Sequence, residues 1–200
     1  VGWARLQNLR RSLLALRAAK KQVWVYLTEG GMREYYLASA ADAILIAPAG
    51  HLSITGLSAE TVFFKGTLDK LGIEAQVHQA GQYKAAGEPF TRESMSEAHR
   101  EMLNGLLDDL YGQIVEDVAH ARQKSFPAVR ELIDQGLFMA REALGAGLVD
   151  HVAYEDEIST LLESTLNPVH EITTEEYLHL RRREVRRTLL ATDPKKIALV

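Results

Sequence analysis

The period of the apolar positions changes several times along the chain, and each change marks an element. Leu6, Leu9, Leu13, Leu14 and Leu16 recur at helical spacing, with Arg5, Arg10, Arg11, Arg17 and Lys20 on the other side. This predicts an amphipathic helix packing on a sheet through its leucines, with a solvated basic face. Val23-Trp24-Val25-Tyr26-Leu27 is a short β-rich run of the kind buried in a parallel sheet. Glu29-Gly30-Gly31 breaks it, and a second helix is expected from about Met32 through Tyr35, Tyr36 and Ala41. Small residues in its later turns would let it lie close against the sheet. Ala43-Ile44-Leu45-Ile46 reads as the next buried strand, and Pro48, Gly50 and Gly56 punctuate a loop or short hairpin around Leu52-Ser53-Ile54-Thr55. Residues 60–71 have Val62, Phe63, Leu68 and Leu71 near helical spacing and end on Gly72, a helix stop signal. Ile73 to His78 is then expected to be a strand that runs into a loop bracketed by Gly81 and Gly87.

The remaining pattern is mostly helical. Ser96 is a candidate N-cap for the longest helix, whose apolar stripe runs through Met102, Leu106, Leu110, Ile114 and Val118 to about Arg122. Pro127 to Gln135 is a shorter helix stopped by Gly136, and Leu137-Phe138 and Leu148-Val149 are short extended pieces around a helix from Ala140 to Leu144. The signal weakens after Tyr154: 155–166 reads as a helix, Asn167-Pro168 as a break, 169–173 as a connector and 174–187 as a charged helix. Strands alternating with helices imply α/β architecture with a mainly parallel sheet and right-handed crossovers. Three segments are expected: a domain over 1–153, a helical extension or linker over 154–195, and the first strand of a second half at 196–200.

Composition changes this picture only by exclusion. Two hundred residues with 46% apolar and 25% charged positions suit a soluble globular chain that can bury a core. A formal net charge of -4 provides no global basic field, so nucleic acid is not an expected partner. The chain has no cysteine, which removes disulfides and thiolate chemistry. Histidines such as His78, His99, His120, His151, His170 and His179 lack the i, i+4 pairing that a zinc site favours. Neither a metal nor any other cofactor is expected. The arginines at 181–183 and 186–187 could meet phosphates or acidic lipid, but a solvated helix paired with Glu175, Glu176 and Glu184 is the preferred reading. The chain starts without Met and stops at Lys196-Ile197-Ala198-Leu199-Val200, which reads as a strand cut short, so it is expected to be an internal piece of a longer protein.

Chemistry is expected at Gln79 to Phe90. Gly81 and Gly87 constrain the turn that carries Lys84, past a strand end, where open α/β sheets place active sites. An ordinary solvated lysine is the competing interpretation. His78 could be a third member of a triad or a buried structural histidine, and Glu88 could pair with Lys84 or serve the loop structurally. The strand-glycine-helix junction at 29–34 is a generic place for an oxyanion hole, since unpaired N–H groups converge there.

Tyr83-Lys84-Ala85-Ala86-Gly87-Glu88-Pro89-Phe90-Thr91-Arg92-Glu93-Ser94-Met95-Ser96 resembles the lysine segment of the signal peptide peptidase A (protease IV) family, peptidase family S49, in its tandem-domain form. Glu34 to Asp42, Ala47 to Gly50, Phe63 to Gly72 and Ala140 to Asp150 resemble further stretches of it in the same order. The resemblance implies a ClpP/crotonase-like superhelix of β-β-α units and a Ser-Lys dyad with Lys84 as general base. Ser53, Thr55, Gly56 and Ser58 would belong to the segment that lines a peptide groove or orients the lysine. Met32, Arg33 and Glu34 stand where single-domain members carry the nucleophilic serine, and Leu57 stands where they carry a lysine-orienting serine. Ser39 lies a turn inside the helix and reads as a packing residue. The tandem form places the serine in a carboxy-terminal half, so the 200 residues alone are expected to be inactive.

The resemblance further implies signal peptides as substrates and a homo-oligomer, a tetramer. It also implies a parent protein associated with the bacterial inner membrane and facing the periplasm. Two alternatives stay open: a non-catalytic half that only shapes the assembly, and a crotonase-type acyl-CoA enzyme.

Overall fold

The structure, a computed structural model, describes residues 2–166 and 172–191. It separates into two compact units, 1–155 and 156–200. In the described part of the second unit, helices α8 (Ile158–Leu166) and α9 (Thr174–Ala191) match the sequence expectation. The expected break at Asn167-Pro168, most of the connector and the strand at 196–200 lie outside the described residues. Among the described residues no helix is long and apolar enough to cross a membrane.

The first unit is α/β and mainly parallel. Strands β1 (Trp24–Leu27), β3 (Ala43–Ile46) and β6 (His151–Val152) form one sheet in the order β1-β3-β6, with both pairings parallel. Strands β2 (Gly30–Gly31), β4 (His51–Ser53) and β5 (Leu137–Met139) form a second, parallel between β2 and β4 and antiparallel between β4 and β5. The first four strands therefore alternate between sheets: β1 and β2 precede helix α2 (Met32–Ala38), and β3 and β4 repeat the same step. This is the β-β-α pattern that the resemblance implied. Gly50 makes the turn between β3 and β4 possible, because a Cβ there would lie 2.4 Å from the Thr28 carbonyl oxygen.

The core is built on β3, whose four residues are all buried, as four consecutive apolar residues in a central parallel strand require. β1, expected to be buried, is half-buried throughout, and among the described residues it pairs on one side only. Helix α1 (Trp3–Ala18) also departs from expectation. Leu6 is buried, but Leu9, Leu14 and Leu16 are exposed, and the second side chain buried is Arg10. Arg10 lies one turn after Leu6 on the same stripe. It donates to the Tyr36 carbonyl, to Ser39 Oγ at 2.7 Å and to the Asp117 carbonyl at 3.1 Å, and its guanidinium lies 4.8 Å from the centre of the Tyr36 ring. Its Nε has no hydrogen bond, only an ion pair with Asp117 at 3.5 Å, and burial lowers its proton affinity.

Helices α5 (Glu97–Arg122) and α6 (Phe126–Gln135) agree with the pattern, each started by a serine cap: Ser96 accepts from His99 N–H and Ser125 from Ala128 N–H. The inner half of α5 buries Ile114, Val115, Val118 and Ala119. Its last turn sends Arg122 to both Asp150 oxygens, at 2.8 and 3.0 Å, while Asp150 also accepts from the Ile44 N–H at 2.8 Å. Partial burial pushes the Asp150 carboxyl up, but these donors outweigh it and hold it below its ordinary value. The loop after β5 thus ties α5 to the central strand through helix α7 (Ala140–Gly145) and residues 146–150.

The stretch between β4 and α5 is where expectation and structure differ most. Regular helix covers only Lys65–Lys70 (α3) and Glu88–Thr91 (α4), with a 3-10 turn at Ala85–Gly87. Residues 73–78 form no strand, because among the described residues no other segment pairs with their backbone, and His78 is exposed rather than buried. The segment around Leu52 is not a local hairpin either, since β4 pairs with β2 and with the distant β5.

Candidate active site

Lys84 lies at the entry to the Ala85–Gly87 turn, with its N–H donating to the Gly81 carbonyl at 3.3 Å. Its side chain is exposed, and among the described residues its ammonium has no hydrogen-bond or ion-pair partner. Local packing sets the backbone around it. Gly81 takes a φ of +101°, which favours glycine, and Ala85 is buried. Gly87 lies against Val77, so that a Cβ on it would come 2.4 Å from Val77 Cγ1. The Phe64 and Phe90 rings stack at 5.9 Å, and the Phe64 N–H donates to the Pro89 carbonyl at 2.6 Å.

Glu88 does not pair with Lys84. Its carboxylate turns inward and is 5% exposed, accepting from the Ser96 hydroxyl and from the Ser96 N–H at 3.0 Å. His99 Nδ1 lies 3.0 Å from the same carboxylate, and the ring is 7% exposed. A carboxylate only accepts, so Nδ1 carries the hydrogen. The Ser96 hydroxyl, with the other donors, holds the Glu88 carboxyl below its ordinary value against the opposing effect of burial. Beside Lys84, the Tyr83 hydroxyl donates to Glu101 at 3.2 Å. The Glu88–Ser96–His99 contact was legible only in part: the serine cap is a local signal, whereas the inward turn of a carboxylate eight residues earlier has none.

The other predicted residues divide between two clefts. Ser53 lines one of about 440 Å³ with Gly30, Gly31, Glu34 and His51, at the junction of β2 and α2. Thr55 and Gly56 line another of about 580 Å³, closed by Tyr111 and Asp108 of α5 and by Asp134 and Gly136 at the end of α6. Lys84 and Ser58 line neither cleft, and Ser58 is exposed. Among the described residues none of the three hydroxyls, Ser53, Thr55 and Ser58, hydrogen-bonds to Lys84.

The junction itself carries no nucleophile. Met32 is buried at 8% exposure, and the Gly31 N–H, which an open oxyanion hole would leave unpaired, donates to Glu34 Oε2 at 3.1 Å. Ser39 is buried as well, bonded to Arg10 and to the Tyr36 carbonyl, which fits a packing role. The Tyr36 hydroxyl donates to Asp117 at 2.6 Å, and burial together with that carboxylate pushes it up to about 12. No group of three or more potential metal ligands occurs among the described residues.

The profile of peptidase family S49 matches residues 15–168. "Serine protease SPPA, chloroplastic" of Arabidopsis thaliana is 34% identical over 165 residues, covering 82% of this chain and 24% of that protein. "Protease 4" of Salmonella typhi is 31% identical over 165 residues, 78% of this chain and 27% of that protein. A putative protease of Methanocaldococcus jannaschii is 30% identical over 151 residues, 75% of this chain and 48% of that protein. The chain thus spans about a quarter of the first two relatives and about half of the third.

Proposed function

This chain belongs to peptidase family S49, and from that membership we propose that it supplies the lysine of a split Ser-Lys dyad in a serine peptidase acting on cleaved signal peptides. The observation that carries the reading is the pairing of two facts. The segment that resembles the family's lysine segment sits on an exposed, constrained turn, while Met32, buried, stands where the resemblance places the nucleophile of single-domain members. The hydroxyl then comes from another part of the same protein, its carboxy-terminal half, within a homo-oligomeric assembly at a membrane.

In this mechanism the neutral Lys84 amine takes the proton from the serine hydroxyl as its oxygen attacks the peptide carbonyl carbon. The resulting ammonium returns that proton to the departing amine. The same amine then deprotonates the water that hydrolyses the acyl-enzyme. A lysine in contact with water is charged, so the docked partner must cover Lys84 and favour its neutral form by desolvation. In the full-length protein Lys84→Ala is expected to lower kcat on a chromogenic peptide ester by about 10²–10⁴-fold, the range typical of a general base. Residues 1–200 alone are expected to show no turnover. Unchanged kcat for Lys84→Ala rejects the assignment.

One observation favours a second reading, in which this half only shapes an assembly. Val62, Leu71 and Ile73 are more than half exposed near Lys84 in the sequence, an apolar surface suited to a protein partner. On that reading Lys84→Met leaves hydrolysis intact.

A further inference from the structure

Between residues 55 and 98 only two side chains are buried, Ala85 and Glu88. A carboxylate is the least expected group to be one of them, because burying it is costly unless converging donors replace its water. Here three do so: the Ser96 N–H, the Ser96 hydroxyl and His99 Nδ1–H. All three come from the cap and first turn of α5, the helix whose far end is tied by Arg122 to the central strand. Glu88 is separated from Lys84 by one 3-10 turn, in which Ala85 is buried and Gly87 is wedged on Val77. A displacement of Glu88 is therefore passed to the Lys84 backbone.

We propose that Glu88, Ser96 and His99 form a buried latch that fixes the turn carrying Lys84 to the start of α5, which makes them positioning residues for that lysine. The proposal rests on the reading of Lys84 as general base and adds what holds it in register with a hydroxyl arriving from outside. The Tyr83–Glu101 bond supports the same turn from the other side of Lys84, but at an exposed site where water competes. The latch, screened from water and charge-assisted, carries the positional constraint.

The test uses the full-length protein and the kinetics of peptide ester hydrolysis. Glu88→Gln keeps the shape but removes the charge and places an amide N–H against donors. It is expected to lower kcat about tenfold or more, with KM within about twofold, as a misplaced general base does. In a Lys84→Ala background the same change is expected to have no further effect on the residual rate. His99→Leu is expected to lower kcat severalfold, and His99→Asn, whose amide N–H can stand where Nδ1–H stood, to recover most of it.

Wild-type kcat in Glu88→Gln, or an equal loss with and without Lys84, overturns the latch while leaving the general-base assignment intact. Unchanged kcat in Lys84→Ala overturns both. If Glu88→Gln does not fold, the histidine pair decides: equal kcat for His99→Leu and His99→Asn overturns the latch.

Discussion

Between Tyr35 and Ile54 the core side chains are driven fully inside: Tyr35, Ile44, Leu45, Ile46, Leu52 and Ile54 are each at most 1% exposed. In the next stretch, 55–98, side chains of the same chemistry stay in water. Val62, Phe64, Leu71, Ile73, Val77 and Phe90 are 44–67% exposed, and α3 buries none of its residues. All of the first set but Leu45 share one buried cluster with side chains of α2 and α5, so each has apolar neighbours. The stretch 55–98 is an arm that packs mainly on itself, through the Phe64–Phe90 stack, the Val77–Gly87 contact and the Glu88 latch. Hydrophobicity favours burial but does not provide the surface that accomplishes it. On the proposed reading, such an arm presents Lys84 to its partner, which a side chain locked in the core could not do.

Four substitutions in the 200-residue chain, followed by urea denaturation, probe that contrast. The largest effect is expected in the core, where Ile44→Ala removes a buried side chain from the central strand. It should cost about 3–4 kcal/mol, within the range for large-to-small core changes. A cost below about 1 kcal/mol would mean that β3 is not the packed centre. An intermediate effect is expected at the one tight contact of the arm. Gly87→Ala has no backbone obstacle, since φ is -87° there, and its cost of about 1–2 kcal/mol comes only from the collision with Val77. Val77→Ala in the same chain should therefore recover most of that loss, and a lack of recovery would place the strain elsewhere. The smallest effect is expected at Leu71, 67% exposed at the end of α3. Leu71→Ser should change stability by less than about 0.5 kcal/mol. A larger loss would show that the arm's apolar face is covered in the isolated chain.

The same contrast separates what was legible along the chain from what was not. Ala43–Ile46, α5 and α6 were readable because their signals are local: an uninterrupted apolar run, the Ser96 cap, the stop at Gly136. The short strands β2, β5 and β6 were not placed as strands of two sheets, because two or three residues become a strand only when a distant backbone offers hydrogen bonds. The run at 73–78 shows the converse, with strand-like composition and no partner to make it one. For the candidate site, Lys84 and its bracketing glycines could be picked out by spacing and resemblance, and the lack of a hydroxyl at 32–34 could be read directly.

The amino-acid order by itself determined which segments could be helix or strand, the α/β class, and the presence of a lysine without a serine in the expected place. Only the tertiary structure decided that Arg10, on a stripe of leucines, would be buried under three hydrogen bonds, and that Glu88 would turn away from Lys84 toward Ser96 and His99. The physical reason is common to both. Periodicity reports which face of an element a side chain occupies. A charged group goes inside only if donors or acceptors from other elements converge on it to replace its water, and that convergence is a property of the packed chain.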